Sequence, residues 1–287
     1  MKAIYKKEVK SYLTSMIGYV FIFFILLLEG IYFTAYNLQN AYPLFGTTLS
    51  AITFIFLILV PVLTMKTIAE ERKQKTDQLL LTAPVSVSEI VLGKFLAVAT
   101  VYAIPVLIIC LYPLIMGKYG TVSYGMAYTA VLGFALLGFA QIAVGVFWSS
   151  VTENPVIAAV VTFIVLFVCY MITGIGSLIP DSSMASLACY MLLVLLAAVW
   201  IYHMIRNLWI AAVIGIAGEA ALAVTYVVKS TLFEGSIQKF LAVFDITSHF
   251  DNFTNGILDL QGVVYFLSVI IIFLVLTVQT ITKRRWN

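Results

Sequence analysis

Charge is scarce in this sequence. Its 287 residues include 16 Lys or Arg and 13 Asp or Glu, or 10% charged, where soluble domains carry about 25%. So few charges cannot cover a water-exposed surface, which excludes a soluble globular protein. Cysteine is sparser still. Cys110, Cys169 and Cys189 lie in or beside apolar runs with no CxxC pair, which suits use as small hydrophobes rather than a disulfide framework or a metal site. The only histidines, His203 and His249, are far apart. There is no GxxxxGK[ST], no HExxH and no nucleophile elbow. No catalytic site is therefore expected, and the small net charge of +3 gives no footprint for nucleic acid.

What the chain does have is apolar length. It is 63% hydrophobic, with a mean hydropathy of +1.09. The apolar runs are continuous, not alternating, which points to helical spans rather than a barrel. Runs near spanning length fall at 17–36, 48–67, 95–116, 127–148, 156–178, 187–203, 208–228 and 262–282. The expectation is an all-α polytopic membrane protein, a single transmembrane domain over 1–287 with about eight helices. The count drops to six if 187–228 forms a re-entrant hairpin. Lys2, Lys6, Lys7 and Lys10 precede the first run as in a signal peptide. That run is too long for an h-region and no small-x-small site follows, so it reads as a retained span.

The cations test this count. With both termini in the cytoplasm, Lys2, Lys6, Lys7, Lys10, Lys66, Arg72, Lys73, Lys75, Lys94, Arg206, Lys283, Arg284 and Arg285 all lie inside. Only Lys118, Lys229 and Lys239 lie outside. This satisfies the positive-inside rule and requires an even number of spans. The longest outer loop is 229–261. Its Phe233, Phe240, Phe244, Phe250 and Phe253 suit a segment packed at the outer headgroup level. The Asn252-Phe253-Thr254 sequon is read as chance.

The largest polar island, 69–94, reads AEERKQKTDQLLLTAPVSVSEIVLGK. Helical periodicity continues past the second run through Thr67–Lys75, with i,i+4 pairs Glu70–Gln74 and Glu71–Lys75. A short amphipathic piece, 76–83, stops at Pro84. Ser86-Val87-Ser88-Glu89 is a capping box that starts a new helix at about Val87. Leu79, Leu80 and Leu81 in a polar loop need a covering surface, either membrane or partner.

This island resembles the cytoplasmic signature of ABC-2-type transporter permeases, in the branch that includes gliding-motility-type permeases. The matching residues are Glu70-Glu71-Arg72, Thr76-Asp77-Gln78, Leu79-Leu80-Leu81-Thr82-Ala83-Pro84-Val85-Ser86 and Gly93-Lys94. Two positions depart from the family pattern: Lys75 stands where glycine is usual, and Gln78 where glutamate is. Residues 1–16 are similar to the family's basic amphipathic helix on the inner leaflet. The stretch from Phe250 through the last run to Trp286 is similar to its last outer loop and final span. The family usually has six spans, so the runs within 187–228 look like an addition.

The resemblance implies a permease subunit in a bacterial plasma membrane, an exporter, that forms a homodimer or a heterodimer with a second permease. It docks separate ATP-binding-cassette ATPase subunits, which hold the ATP and Mg; this chain binds no cofactor. Within the coupling region 69–94, Leu79, Leu80 and Leu81 would anchor a coupling helix in the ATPase. Thr76, Asp77 and Thr82 would orient it, flanked by Glu70, Glu71, Arg72 and Pro84.

Three polar residues lie inside apolar runs: Glu29, Gln141 and Glu219. Each acid must face protein or water, so each is either a pathway residue or a packing hydrogen bond; Gln141 reads as interhelical glue. Gly133, Gly138 and Gly145 recur in the fourth run and serve either a dimer seam or intrachain packing. The loop Ser149–Pro155 is either a second ATPase contact or a tight turn with Pro155 at N1. Two rival readings are a gradient-driven secondary transporter, which would need several midplane charges and an internal repeat, and a membrane anchor or assembly scaffold.

Overall fold

In a computed structural model, residues 1–77, 85–205 and 207–285 are described, and they contain helices and no strand. They form two compact units: Met1–Val168 with Ile246–Asn287, and Cys169–Asp245. In chain order the helices begin with α1 (Lys2–Thr14), α2 (Met16–Tyr32), α3 (Phe45–Ile52), α4 (Phe56–Thr64) and α5 (Ala69–Lys73). Next come α6 (Val87–Ile109), α7 (Tyr112–Met116), α8 (Tyr124–Val151) and α9 (Pro155–Ser177). The last five are α10 (Ser183–Ile205), α11 (Leu208–Val228), α12 (Ser236–Ala242), α13 (Ser248–Thr254) and α14 (Leu260–Arg285).

Among the described residues, six stretches are long and apolar enough to cross a bilayer: Met16–Gln39, Phe45–Lys73, Val87–Met116, Tyr124–Val151, Pro155–Ser177 and Leu260–Arg284. This is the smaller of the two counts read from the sequence, and it keeps the even parity that the cations require. The count departs from the eight-span expectation only at 187–228. There, among the described residues, Ser183–Val199 is the stretch of α10 that counts as apolar, and Ala212–Val228 meets Ser230–Ala242 at a 116° bend, giving seven spans if that pair counts as one. Apolar length alone cannot tell a straight span from a broken one.

In the first unit α8 is the most buried span, and its glycines explain why. A Cβ on Gly133 would lie 2.5 Å from Phe253, on Gly138 2.3 Å from Tyr102, and on Gly145 2.2 Å from Thr64. These partners come from α13, α6 and α4, so the small residues serve packing within the chain. Tyr102 and Phe253 are fully buried, and the Tyr102 hydroxyl donates to the Phe134 carbonyl at 2.7 Å. Phe250 and Phe253 thus plug α13 into the helix bundle instead of resting at a lipid interface. In the second unit, Phe233 packs edge-on against Tyr190 and Tyr226.

The local signals hold at two helix starts. Ser86 accepts from the Glu89 N–H at 3.3 Å and α6 begins at Val87. α9 begins at Pro155, with Asn154 Oδ1 accepting from the Val156 N–H at 2.9 Å. Gly138→Ala is expected to lower stability by about 1–3 kcal/mol, because a methyl must displace the bonded Tyr102 ring. Gly125→Ala meets nothing within 4 Å and should be neutral or better. Thermal unfolding of the two variants in detergent checks this contrast.

Candidate functional site

Two ion-pair clusters of the first unit lie around the ends of segment 78–84. α1 presents Lys2, Lys6, Lys7 and Lys10 outward and buries Glu8 and Tyr12. The Tyr12 hydroxyl donates to the Leu63 carbonyl at 3.1 Å and lies 3.0 Å from the Thr67 hydroxyl. Burial holds its phenol well above the ordinary value, so it remains a donor. Tyr5 reaches Thr100 at 3.0 Å. The basic amphipathic helix is therefore bolted across the second and third spans.

Below it lies Lys94, on the second turn of α6, and 2% exposed. Its Nζ is 2.8 Å from Glu71 Oε2 and 3.0 Å from Glu8 Oε1, and it donates to the Thr67 carbonyl at 2.7 Å. Lys7 meets the other Glu71 oxygen at 3.1 Å. Burial pushes the Lys7 ammonium down. The Glu71 hydrogen bond and the charges of Glu71 and Glu8 outweigh it and hold Lys7 above the usual lysine value. Two carboxylates thus neutralise the buried Lys94 ammonium and, on the solvent side, the exposed Lys7.

A second cluster shares α5. The second span does not run on as a continuous helix, as periodicity suggested: it breaks into turns at Met65–Ile68 before the five-residue α5. The break exposes backbone donors, and Ser149 of α8 satisfies them. Its hydroxyl oxygen accepts from the Ile68 and Ala69 N–H groups, both at 3.1 Å, and donates to the Met65 carbonyl at 3.1 Å. Arg72 donates to the Ser150 carbonyl and pairs with Glu153 at 3.2 Å, while Arg284 of α14 approaches the same carboxylate at 3.8 Å. The loop after α8 is therefore both a proline-capped turn and a binding partner of α5.

The sequence-derived coupling residues divide accordingly. Glu71, Arg72 and Asp77 line a cavity of about 30 Å³ with Lys94 and Arg284. Glu70 bonds Gln74 at 2.7 Å as the i,i+4 spacing predicts. The Glu71–Lys75 pair is replaced by Glu71–Lys94 and Glu71–Lys7, because α5 ends at Lys73 and Lys75 turns left-handed with φ 58°. That is the conformation glycine favours. The Thr76 hydroxyl donates to the Glu71 carbonyl at 3.3 Å. Leu79, Leu80, Leu81, Thr82 and Pro84 lie outside the described residues.

Of the residues within spans, Glu29 is 0% exposed, and neither carboxylate oxygen has a hydrogen-bond partner among the described residues. Gln141, 3% exposed, leaves its Oε1 unpartnered as well, so the two are not bonded to each other. Glu219 belongs to the second unit.

Sequence reasoning missed Glu8 as a site residue and used Lys94 only as part of a motif. The available signal was a lone acid amid four lysines in residues 2–10, and a lysine set directly against the start of the 95–116 apolar run.

A family profile described as ABC-2 family transporter protein matches residues 2–283. The chain belongs to that family. No curated protein matches it. This ABC-2 family chain is a permease subunit of an ATP-binding-cassette transporter, a multi-pass plasma-membrane protein that associates with ATP-binding-cassette ATPase subunits. In this ABC-2 permease the polar island that carried the resemblance supplies Glu71 and Lys94 to the charge cluster.

Lys94→Met is expected to cost about 3 kcal/mol, since it leaves Glu8 and Glu71 short of their shared cation. Adding Glu8→Leu should recover part of that loss, measured as a double-mutant cycle on thermal stability. Lys75→Gly should raise stability by about 0.5 kcal/mol by relieving the left-handed lysine, seen as a higher unfolding midpoint in detergent.

Proposed function

We propose that this permease receives ATP-driven motion through its coupling region, 69–94, and exports its substrate. In this reading both termini and the island face the cytoplasm. The permease forms a homodimer or a heterodimer with a second permease, and ATP and Mg are held by the partner ATPase subunits. Leu79, Leu80 and Leu81 provide the apolar anchor in the ATPase cleft, with Thr76, Asp77 and Thr82 orienting it. The outward direction rests on the resemblance to ABC-2 permeases.

One observation supports the mechanical part of this reading above others. Buried Lys94 links both flanks of segment 78–84: Glu71 and Thr67 before it, and the start of α6, which carries Lys94, after it. Glu8 adds α1 to the same ammonium. A push on the segment is therefore carried by short charged contacts into the second and third spans and the N-terminal helix together. Isolated flexible flanks would absorb that displacement. Arg72, Glu153 and Arg284 extend the same rigid block to the fourth and last spans.

The expected result for Leu80→Asp is loss of the ATPase from the co-purified complex, with binding weakened by about 2 kcal/mol or more, as for an apolar anchor removed from a desolvated pocket. Lys94→Met should keep the ATPase bound but abolish the permease's effect on its turnover. Undiminished ATPase association and activity with Leu80→Asp would exclude this docking surface.

A further inference from the structure

The second unit contains a feature that the coupling reading does not use. α10 and α11 pack closely where Gly218 faces Val194 and Gly215 faces Ala198. Beside that contact they leave an open groove of about 630 Å³. Met191, Leu195, Val199, Ala212 and Ile216 make its walls apolar, and Glu219 is the one carboxylate among its described lining residues. Glu219 stands halfway along α11, and one of its oxygens is buried with no hydrogen-bond partner among the described residues.

A carboxylate midway along an apolar helix is costly unless something answers its charge or donates to it. A neutral acyl chain would fill the apolar volume and leave the oxygen bare. Water would satisfy the oxygen and leave the walls wet. An organic cation with an apolar body satisfies both, and the groove volume falls in the usual range for small-molecule sites, about 300–1,000 Å³. We propose that the groove between α10 and α11 binds a lipophilic monocation, with Glu219 as its counter-charge. The site is independent of the coupling region, so it can be tested without ATP or the ATPase, and neither result bears on the other.

The test is equilibrium binding of radiolabelled tetraphenylphosphonium to the full chain in zwitterionic lipid nanodiscs, with empty discs subtracted. Saturable binding at one site per chain is expected. Glu219→Gln should weaken it about tenfold or more, Glu219→Asp should retain most of it, and Ala223→Phe should block it with the carboxylate intact. On the unaltered chain, a neutral triphenylphosphine oxide competitor should fail to displace the cation, which keeps the test decisive if a variant misfolds. Wild-type affinity in Glu219→Gln would overturn the proposal. So would equal displacement by the neutral competitor, which marks a lipid-chain slot, or complete disulfide cross-linking of Ala220→Cys between copies, which marks a second chain as the occupant.

Discussion

Everything at the charged end of this protein depends on keeping one ammonium group out of water. Lys94 is buried at the start of the third span, where an unpaired charge would be expelled or neutralised. It stays because Glu8, Glu71 and the Thr67 carbonyl surround it at 2.7–3.0 Å. Each of those partners belongs to a different piece of local structure: the N-terminal helix, α5, and the turn that precedes α5. The electrostatic requirement of a single side chain therefore sets the positions of three segments that the backbone alone would leave independent. Lys7 completes the cluster from the solvent side, and its raised affinity for a proton reflects the same two carboxylates.

α5 shows how far short-range structure depends on long-range support. Five residues cannot hold a helix in isolation, because nucleation costs more than so few hydrogen bonds return. Here the missing caps come from elsewhere. Ser149 of the fourth span satisfies two backbone N–H groups, and Arg72 is anchored on the Ser150 carbonyl and Glu153. Near a membrane this matters more than in water, since a freed backbone donor has few other partners. The fourth span that supplies these groups is itself held by close glycine contacts to Thr64, Tyr102 and Phe253. Packing in the apolar layer and polar bonding at its end are thus one continuous arrangement.

Much of the architecture was legible in the sequence. The boundaries of six spans follow from apolar runs; the structure extends five of them at one or both ends, and the 156–178 run shifts by one residue to Pro155–Ser177. Ser86 and Pro155 mark helix starts because capping and the missing proline N–H act within one turn. The pairing of Glu71 was not legible. Helical spacing pointed to Lys75, but the helix ends two residues earlier, and a cation from another helix takes the carboxylate. The aromatics of 229–261 were assigned to an interface by composition, yet Phe250 and Phe253 are core residues, since composition carries no information about which ring meets a glycine.

The sequence by itself determined that this chain is a multi-span helical membrane protein, where most of its spans begin and end, and which family its polar island marks. Those properties arise from hydropathy, capping and motif, all of which act over a few residues or along one helix. Only the tertiary structure decided that Glu8, Glu71 and Lys94 form one buried cluster, that Ser149 caps a helix some eighty residues away, and that the runs within 187–228 hold a groove with one carboxylate among its described lining residues. Those depend on distances between segments remote in the chain, which are set by how the helices pack and not by the order of their residues.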